Sequence, residues 1–142
     1  MIRIPARLLA DIAAAAERAY PEECCGLLVG TGAPGSTVVV GRVVASANVA
    51  PAPRRDRFEI DPKLRFDLMR ALADGAERVV GHYHSHPDQP ARPSQRDLDM
   101  AWEPDLVWLI TAVVDGRATE TTAHRVDPAG GRFRAIALAI TD

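Results

Sequence analysis

The chain of 142 residues predicts an α/β fold, a single domain over 1–142 in which helices and a mixed sheet form an α/β sandwich. Three observations carry this. Segments of helical periodicity alternate with short β-branched runs bounded by glycine and proline. The element order reads β-α-β-β-α-β-α-β-β-β, with three strands gathered at the C-terminal end, which suits a mixed sheet better than a doubly wound parallel one. Finally, 47% of the residues are hydrophobic, enough at this length for a core that needs no disulfide or metal staple.

Taken in order, residues 6–19 place Leu8, Leu9, Ile12, Ala15, Ala16 and Ala19 at helical spacing, between Pro5 at the start and Pro21 at the stop. Cys24 to Gly30 is a short apolar run, read as a buried strand, and Thr37 to Ser46 is a second, β-branched one. Residues 47–57 carry Pro51, Pro53 and three arginines, the composition of an exposed loop; 58–60 suit a short strand. Asp61-Pro62 opens a helix to about Gly75, with Leu64, Leu68 and Leu72 on one face. Arg78 to Ser85 is a strand, 87–93 a proline-rich loop, and Ser94 to Trp102 a short helix. Strands at 106–114, 118–126 and 132–140 follow, with turns at Asp115-Gly116 and Gly130-Gly131.

Charge excludes some partners. The formal net charge is −2 and acidic and basic residues are interspersed, so nothing marks a nucleic-acid surface. Lys63 is the only lysine among the 17 basic residues. The apolar stretch after Pro5 is broken by Arg7, Asp11, Glu17 and Arg18, unlike a signal peptide. No run reaches the ~20 apolar residues of a membrane span. Adjacent Cys24 and Cys25 do not suit a disulfide framework, and the expected location is the cytoplasm. Their place in an apolar strand favours packing over a reactive thiol.

Chemistry concentrates at Gly81-His82-Tyr83-His84-Ser85-His86-Pro87. On a strand, side chains two apart share a face and stand ~7 Å apart along it, so two imidazoles can turn toward one ion. On a helix the same spacing would splay them by about 200°. Downstream, Ser94 and Asp97 share one helical turn. Asp97 there reads either as part of a helix cap with Ser94 or as a third ligand, and the two roles are compatible.

These residues resemble the JAMM motif of MPN-domain zinc metalloproteases: His84-Ser-His86, seven intervening residues beginning with Pro87, then Ser94-x-x-Asp97. Tyr20-Pro-Glu-Glu-Cys-Cys-Gly-Leu-Leu-Val-Gly30 also looks like that family's glutamate-bearing segment. The resemblance implies the MPN fold, a cytidine-deaminase-like domain with a mixed, mostly antiparallel curved sheet flanked by helices, and one Zn2+ per chain on His84, His86 and Asp97. It implies Glu23, rather than Glu22, as general base, and Ser94 as an oxyanion donor. Spacing alone does not choose between the two adjacent glutamates, and the bland alternative for Glu23 is a solvated charge at a turn. His82 shares the predicted face and is commonly apolar or aromatic in the family, so it is read as a non-ligand. His124 is read as structural or exposed.

The implied activity is hydrolysis of a peptide or isopeptide bond at the Gly-Gly tail of a ubiquitin-like or sulfur-carrier protein. A small-molecule amide hydrolase and a non-catalytic MPN scaffold are the alternatives. The full motif argues against the scaffold. Oligomeric state is not legible.

Overall fold

A computed structural model of the chain describes residues 1–127, 129 and 131–142. The elements are β1 (Ile2–Pro5), α1 (Ala6–Ala19), β2 (Cys25–Thr31), β3 (Val38–Ser46), α2 (Pro62–Leu72), β4 (Arg78–Pro87), α3 (Gln95–Asp99), β5 (Val107–Val114), β6 (Arg117–Val126), β7 (Phe133–Ile136) and β8 (Leu138–Thr141). The expected order holds, with the last strand divided in two. Residues 58–60 do not form a strand; Ile60 makes only an isolated bridge to Asn48. The helix expected over 94–102 is shorter, and of the turn expected at Gly130-Gly131, Gly130 lies outside the described residues.

One eight-stranded sheet runs in the order β7-β6-β5-β4-β2-β3-β1-β8. The pairs β2–β3, β2–β4, β5–β6 and β6–β7 are antiparallel. Strand β1 is parallel to both β3 and β8, and β4 is parallel to β5. The sheet is therefore mixed, with the antiparallel pairings in a small majority. Its two edge strands, β7 and β8, are joined by Ala137 alone. One residue spans only ~3.5 Å, so the two edges must approach each other and the sheet curls almost shut. That curl is why the apolar run 132–140 cannot be one strand: the chain leaves one edge and enters the other at Ala137.

Helix α1 packs on one face of the curl. Leu8, Ile12 and Ala16, spaced by four, are its buried stripe, and Leu8 and Ile12 join Ile2, Ile4, Leu28, Val40, Tyr83 and Leu109 in the main core. Each of these larger side chains contributes roughly 1.5–3 kcal/mol on leaving water. Gly26 has a packing reason, since a Cβ there would come 2.3 Å from the Tyr83 ring that faces it across the β2–β4 ladder. The β5–β6 connection is a two-residue hairpin turn with φ +50° at Asp115 and +83° at Gly116, the handedness that fits strand twist.

Helix α2 covers the opposite face. Asp61 caps it by accepting the Lys63 N–H at 3.0 Å, and Pro62 supplies the first turn. Its Leu64, Leu68 and Leu72 are only half-buried and pack with Ile60 on Leu27, Val79 and Leu106. The face left partly open beside α2 carries the histidines.

Candidate metal centre

Strand β4 alternates as its sequence requires. Tyr83 joins the α1 core, while His84 and His86 turn to the other face. Both histidines are almost fully buried, because β4 lies inside the sheet between β2 and β5. The Nε2 atoms of His84 and His86 stand 3.0 Å apart. Asp97 Oδ2 is 3.3 Å from the first and 3.1 Å from the second.

Asp97 arrives there through its helix cap. Ser94 is the N-cap of α3: its Oγ accepts the Asp97 N–H at 3.1 Å, and its own N–H donates to Asp97 Oδ2 at 2.9 Å. This reciprocal box fixes the turn and orients the carboxylate. Capping and convergence on the histidines thus occur in the same residue, on the same oxygen.

The donor set fits a cation. Around a tetrahedral ion with ~2.0–2.1 Å bonds, donors stand about 3.3 Å apart, close to the three separations found. His86 Nδ1 lies 2.9 Å from the Pro90 carbonyl, an acceptor, so that nitrogen carries the hydrogen. In the neutral ring Nε2 then presents a lone pair toward the Asp97 carboxylate, and two acceptors facing each other need a positive charge between them. His84, His86 and Asp97 form a group that can hold a metal ion. His82 does not belong to it.

The electrostatics agree with an anion held beside imidazoles. Burial alone would raise the Asp97 pKa, yet the contacts with His84 and His86 and the Ser94 N–H that it accepts keep it well below the usual carboxylate range. Burial pushes the His84 pKa down, so its ring is kept neutral, the form that ligates metal.

Glu23 lies on the neighbouring strand path. Cys25 pairs with His84, and Ser85 N–H donates to the Cys24 carbonyl at 3.2 Å while Ser85 Oγ accepts the Cys24 N–H at 2.8 Å. The chain therefore stays extended past the start of β2, and Glu23, two before Cys25, takes the histidine face toward His86. The solvated alternative does not hold: Glu23 is 4% exposed, and its Oε1 is buried with no hydrogen-bond partner among the described residues. Burial, then repulsion from Asp97 and Asp56, pushes its pKa up to about 9. Glu22 instead reaches the surface, where Arg54 lies 3.8 Å away.

Two groups that no sequence pattern marks brace this arrangement. Asn48 donates to the carbonyls of Glu23 and Arg57 and accepts from the N–H groups of Ala50 and Glu59. It thereby ties the 47–60 loop to Glu23 through every hydrogen bond its amide can make. Phe58 lays its ring on His84 at 4.3 Å and 16°. Neither has a local signal, because both act through contacts distant in sequence. His124 is buried and hydrogen-bonded to Thr122 Oγ1 at 2.8 Å, a structural role. Cys25 is buried and Cys24 partly so, and both thiols are free. Burial raises both pKa values, that of Cys25 to about 12, which suppresses thiolate chemistry.

Comparison with known proteins agrees with this geometry. The family model for prokaryotic homologs of the JAB domain matches residues 5–127. The desampylase of Haloferax volcanii is 36% identical over 120 residues, which cover 84% of this chain and 79% of the desampylase. The CysO-cysteine peptidase of Mycobacterium bovis is 31% identical over 123 residues, covering 87% and 81% of the two chains. The crystal structure of a JAB1/MPN domain protein from Archaeoglobus fulgidus aligns over 99% of both chains with a TM-score of 0.63 at 19% identity. That last likeness speaks for the fold alone, and it bears out the expected MPN architecture of a curved mixed sheet flanked by helices.

Proposed function

Because the chain belongs to the family of prokaryotic JAB-domain homologs, with curated relatives that are hydrolases, we propose that it is a zinc peptidase. Its substrate is a conjugate or extension at the Gly-Gly tail of a ubiquitin-like or sulfur-carrier protein. The observation that carries the reading is the buried triangle of His84 Nε2, His86 Nε2 and Asp97 Oδ2, with a buried glutamate on the adjacent strand path. The relatives named for desampylation and for CysO-cysteine cleavage support the substrate class.

His84, His86 and Asp97 would hold one Zn2+ per chain. When bound, such an ion acidifies water and polarises a carbonyl, which supplies the electrophilic half of amide hydrolysis. The remaining steps belong to the chain's own groups. Glu23 accepts the proton of the attacking water and passes it to the departing amine as the C–N bond breaks. In the metal-free chain burial and the Asp97 charge raise its pKa and hold its proton; a cation on His84, His86 and Asp97 would offset that charge and favour the carboxylate that the step requires. Ser94 Oγ already accepts the Asp97 N–H, so its own hydrogen is free to donate to the developing oxyanion. Neither cysteine is required.

The eight-stranded sheet, which takes strands from both ends of the chain, supports one domain over 1–142. Among the described residues no helix is long and apolar enough to cross a membrane. The two free cysteines favour a reducing, cytoplasmic setting.

Incubating the zinc-loaded protein with a sulfur-carrier protein extended beyond its Gly-Gly end tests the reading by mass spectrometry. Release of the extension, abolished by a chelator and restored by zinc, is expected. An intact extension with hydrolysis of unrelated small amides would replace this substrate class by the small-molecule one.

A further inference from the structure

Residues 88–93, which join β4 to the Ser94 cap, turn back over strand β5. Ala91, only 1% exposed, packs with Ile110 and Ala112, the β5 partners of His84 and His86. The peptides on both sides of Ala91 are engaged. The Pro90 carbonyl accepts the Arg92 N–H at 2.8 Å, closing a three-residue turn centred on Ala91, and lies 2.9 Å from His86 Nδ1. The Ala91 carbonyl accepts the Thr122 hydroxyl at 2.6 Å.

Thr122 reaches that carbonyl through the sheet register. His84, Ile110 and Thr122 lie opposite one another on β4, β5 and β6, so Thr122 stands on the histidine face. His124, two residues on, shares that face, and its Nε2 is 2.8 Å from Thr122 Oγ1. A hydroxyl has one hydrogen and the Ala91 carbonyl can only accept, so Thr122 donates there and His124 Nε2–H donates to Thr122. The donors therefore run one way, from His124 through Thr122 to Ala91. Pairing of β5 with β6 is made by their backbones and needs neither side chain.

We propose that Thr122, braced by His124, is a positioning residue for His86, acting through the turn at Ala91. The proposal rests on the metal-centre reading of His84, His86 and Asp97 and deepens it. A neutral imidazole carries its hydrogen on either nitrogen, and only the Nδ1–H form leaves Nε2 the lone pair that a metal needs. The Pro90 carbonyl selects that form, and Thr122 holds the turn that presents it. Without the Thr122 hydroxyl the peptide after Ala91 is free to rotate, the turn opens and the Pro90 carbonyl leaves Nδ1.

The test compares Thr122→Val, which removes the hydroxyl and keeps the shape, with Thr121→Val. The second variant breaks another hydroxyl pair between the same two strands, at 2.8 Å with Thr111, on the opposite face. In competition with a chromogenic chelator, Thr122→Val should bind zinc about tenfold more weakly than the parent, at the lower end for groups that orient a ligand. Thr122→Ser should restore most of that affinity, and Thr121→Val should match the parent. Nitrogen NMR of the metal-free protein at about pH 8, where imidazoles are neutral, should show His86 as the Nδ1–H tautomer in the parent and in Thr121→Val. Thr122→Val should show a mixture of tautomers. Lower melting temperatures in both valine variants, with zinc affinity and tautomer unchanged, would make Thr122 merely structural and overturn the proposal. Equal losses of affinity in the two would do the same. His124→Phe withdraws the brace and should shift affinity and tautomer the same way by less; it replaces Thr122→Val if that variant does not fold, and parent-like values there overturn the proposal. If the parent binds no zinc, the metal reading fails separately. The tautomers then decide alone: a mixture confined to Thr122→Val supports the positioning role, and an unchanged ring overturns it.

Discussion

The two faces of strand β4 differ in what they contribute. Toward α1, Tyr83 enters a sealed apolar core together with Leu8 and Ile12. Toward α2, the same strand presents His82, His84 and His86, and α2 itself has no fully buried residue, leaving Phe66 at 61% and Met69 at 48% exposure. One side carries the stability and the other carries polar groups whose burial costs free energy. A strand paired on both edges can do this because its backbone is satisfied whichever side chains it bears. The chemistry rests on a frame that the opposite face stabilises.

On the polar face of β4, the largest effect is expected at the proposed metal ligands. His84→Ala or His86→Ala should abolish metal binding and turnover while the chain still folds on its α1 face, measured by metal content and circular dichroism. An unfolded product would mean that the polar face also carries the fold. Next in size, Glu23→Gln should keep its metal and lose about two to four orders of magnitude in kcat. Retained turnover in Glu23→Gln would remove that residue from the mechanism.

Glu23 should also mark stability. Its folded pKa, about 9, lies above the ordinary value of 4.5, so the folded state keeps a proton that the unfolded chain releases. In metal-free protein the contribution is full below about pH 4.5 and is lost as pH rises through about 9. Melting temperature against pH should therefore fall more steeply for the parent than for Glu23→Gln over that window. Parallel curves would show that the carboxyl is solvated.

On the stabilising face, Ile12→Ala should cost about 2–5 kcal/mol by urea unfolding, with metal bound per folded molecule unchanged. Leu68→Ala, half-buried on α2, should cost nearer 1 kcal/mol. A larger loss at Leu68 than at Ile12 would reverse the assignment of the two faces. Smallest of all, Glu22→Gln removes only an exposed contact with Arg54 and should change stability by less than about 0.5 kcal/mol and turnover little.

The sequence by itself determined what depends on neighbours along the chain. Helical spacing placed α1 at 6–19, Asp115-Gly116 set the hairpin turn, and the two-residue spacing of His84 and His86 put both on one strand face. Ser94 and Asp97 were legible as a cap for the same reason, since the box closes within one turn. Only the tertiary structure decided the rest. The division of 132–140 into β7 and β8 follows from the curl of the whole sheet, which no local pattern encodes. Which of Glu22 and Glu23 is buried follows from the β2–β4 register: Cys25 opposite His84 sends alternate residues to the histidine face. A one-residue slip would exchange them, and that register is set by packing across the sheet rather than by the glutamates. The burial that shifts the Glu23 pKa, the Asn48 brace and the Phe58 stack likewise come from segments distant in sequence, because proximity in a folded chain is decided by the fold and not by spacing.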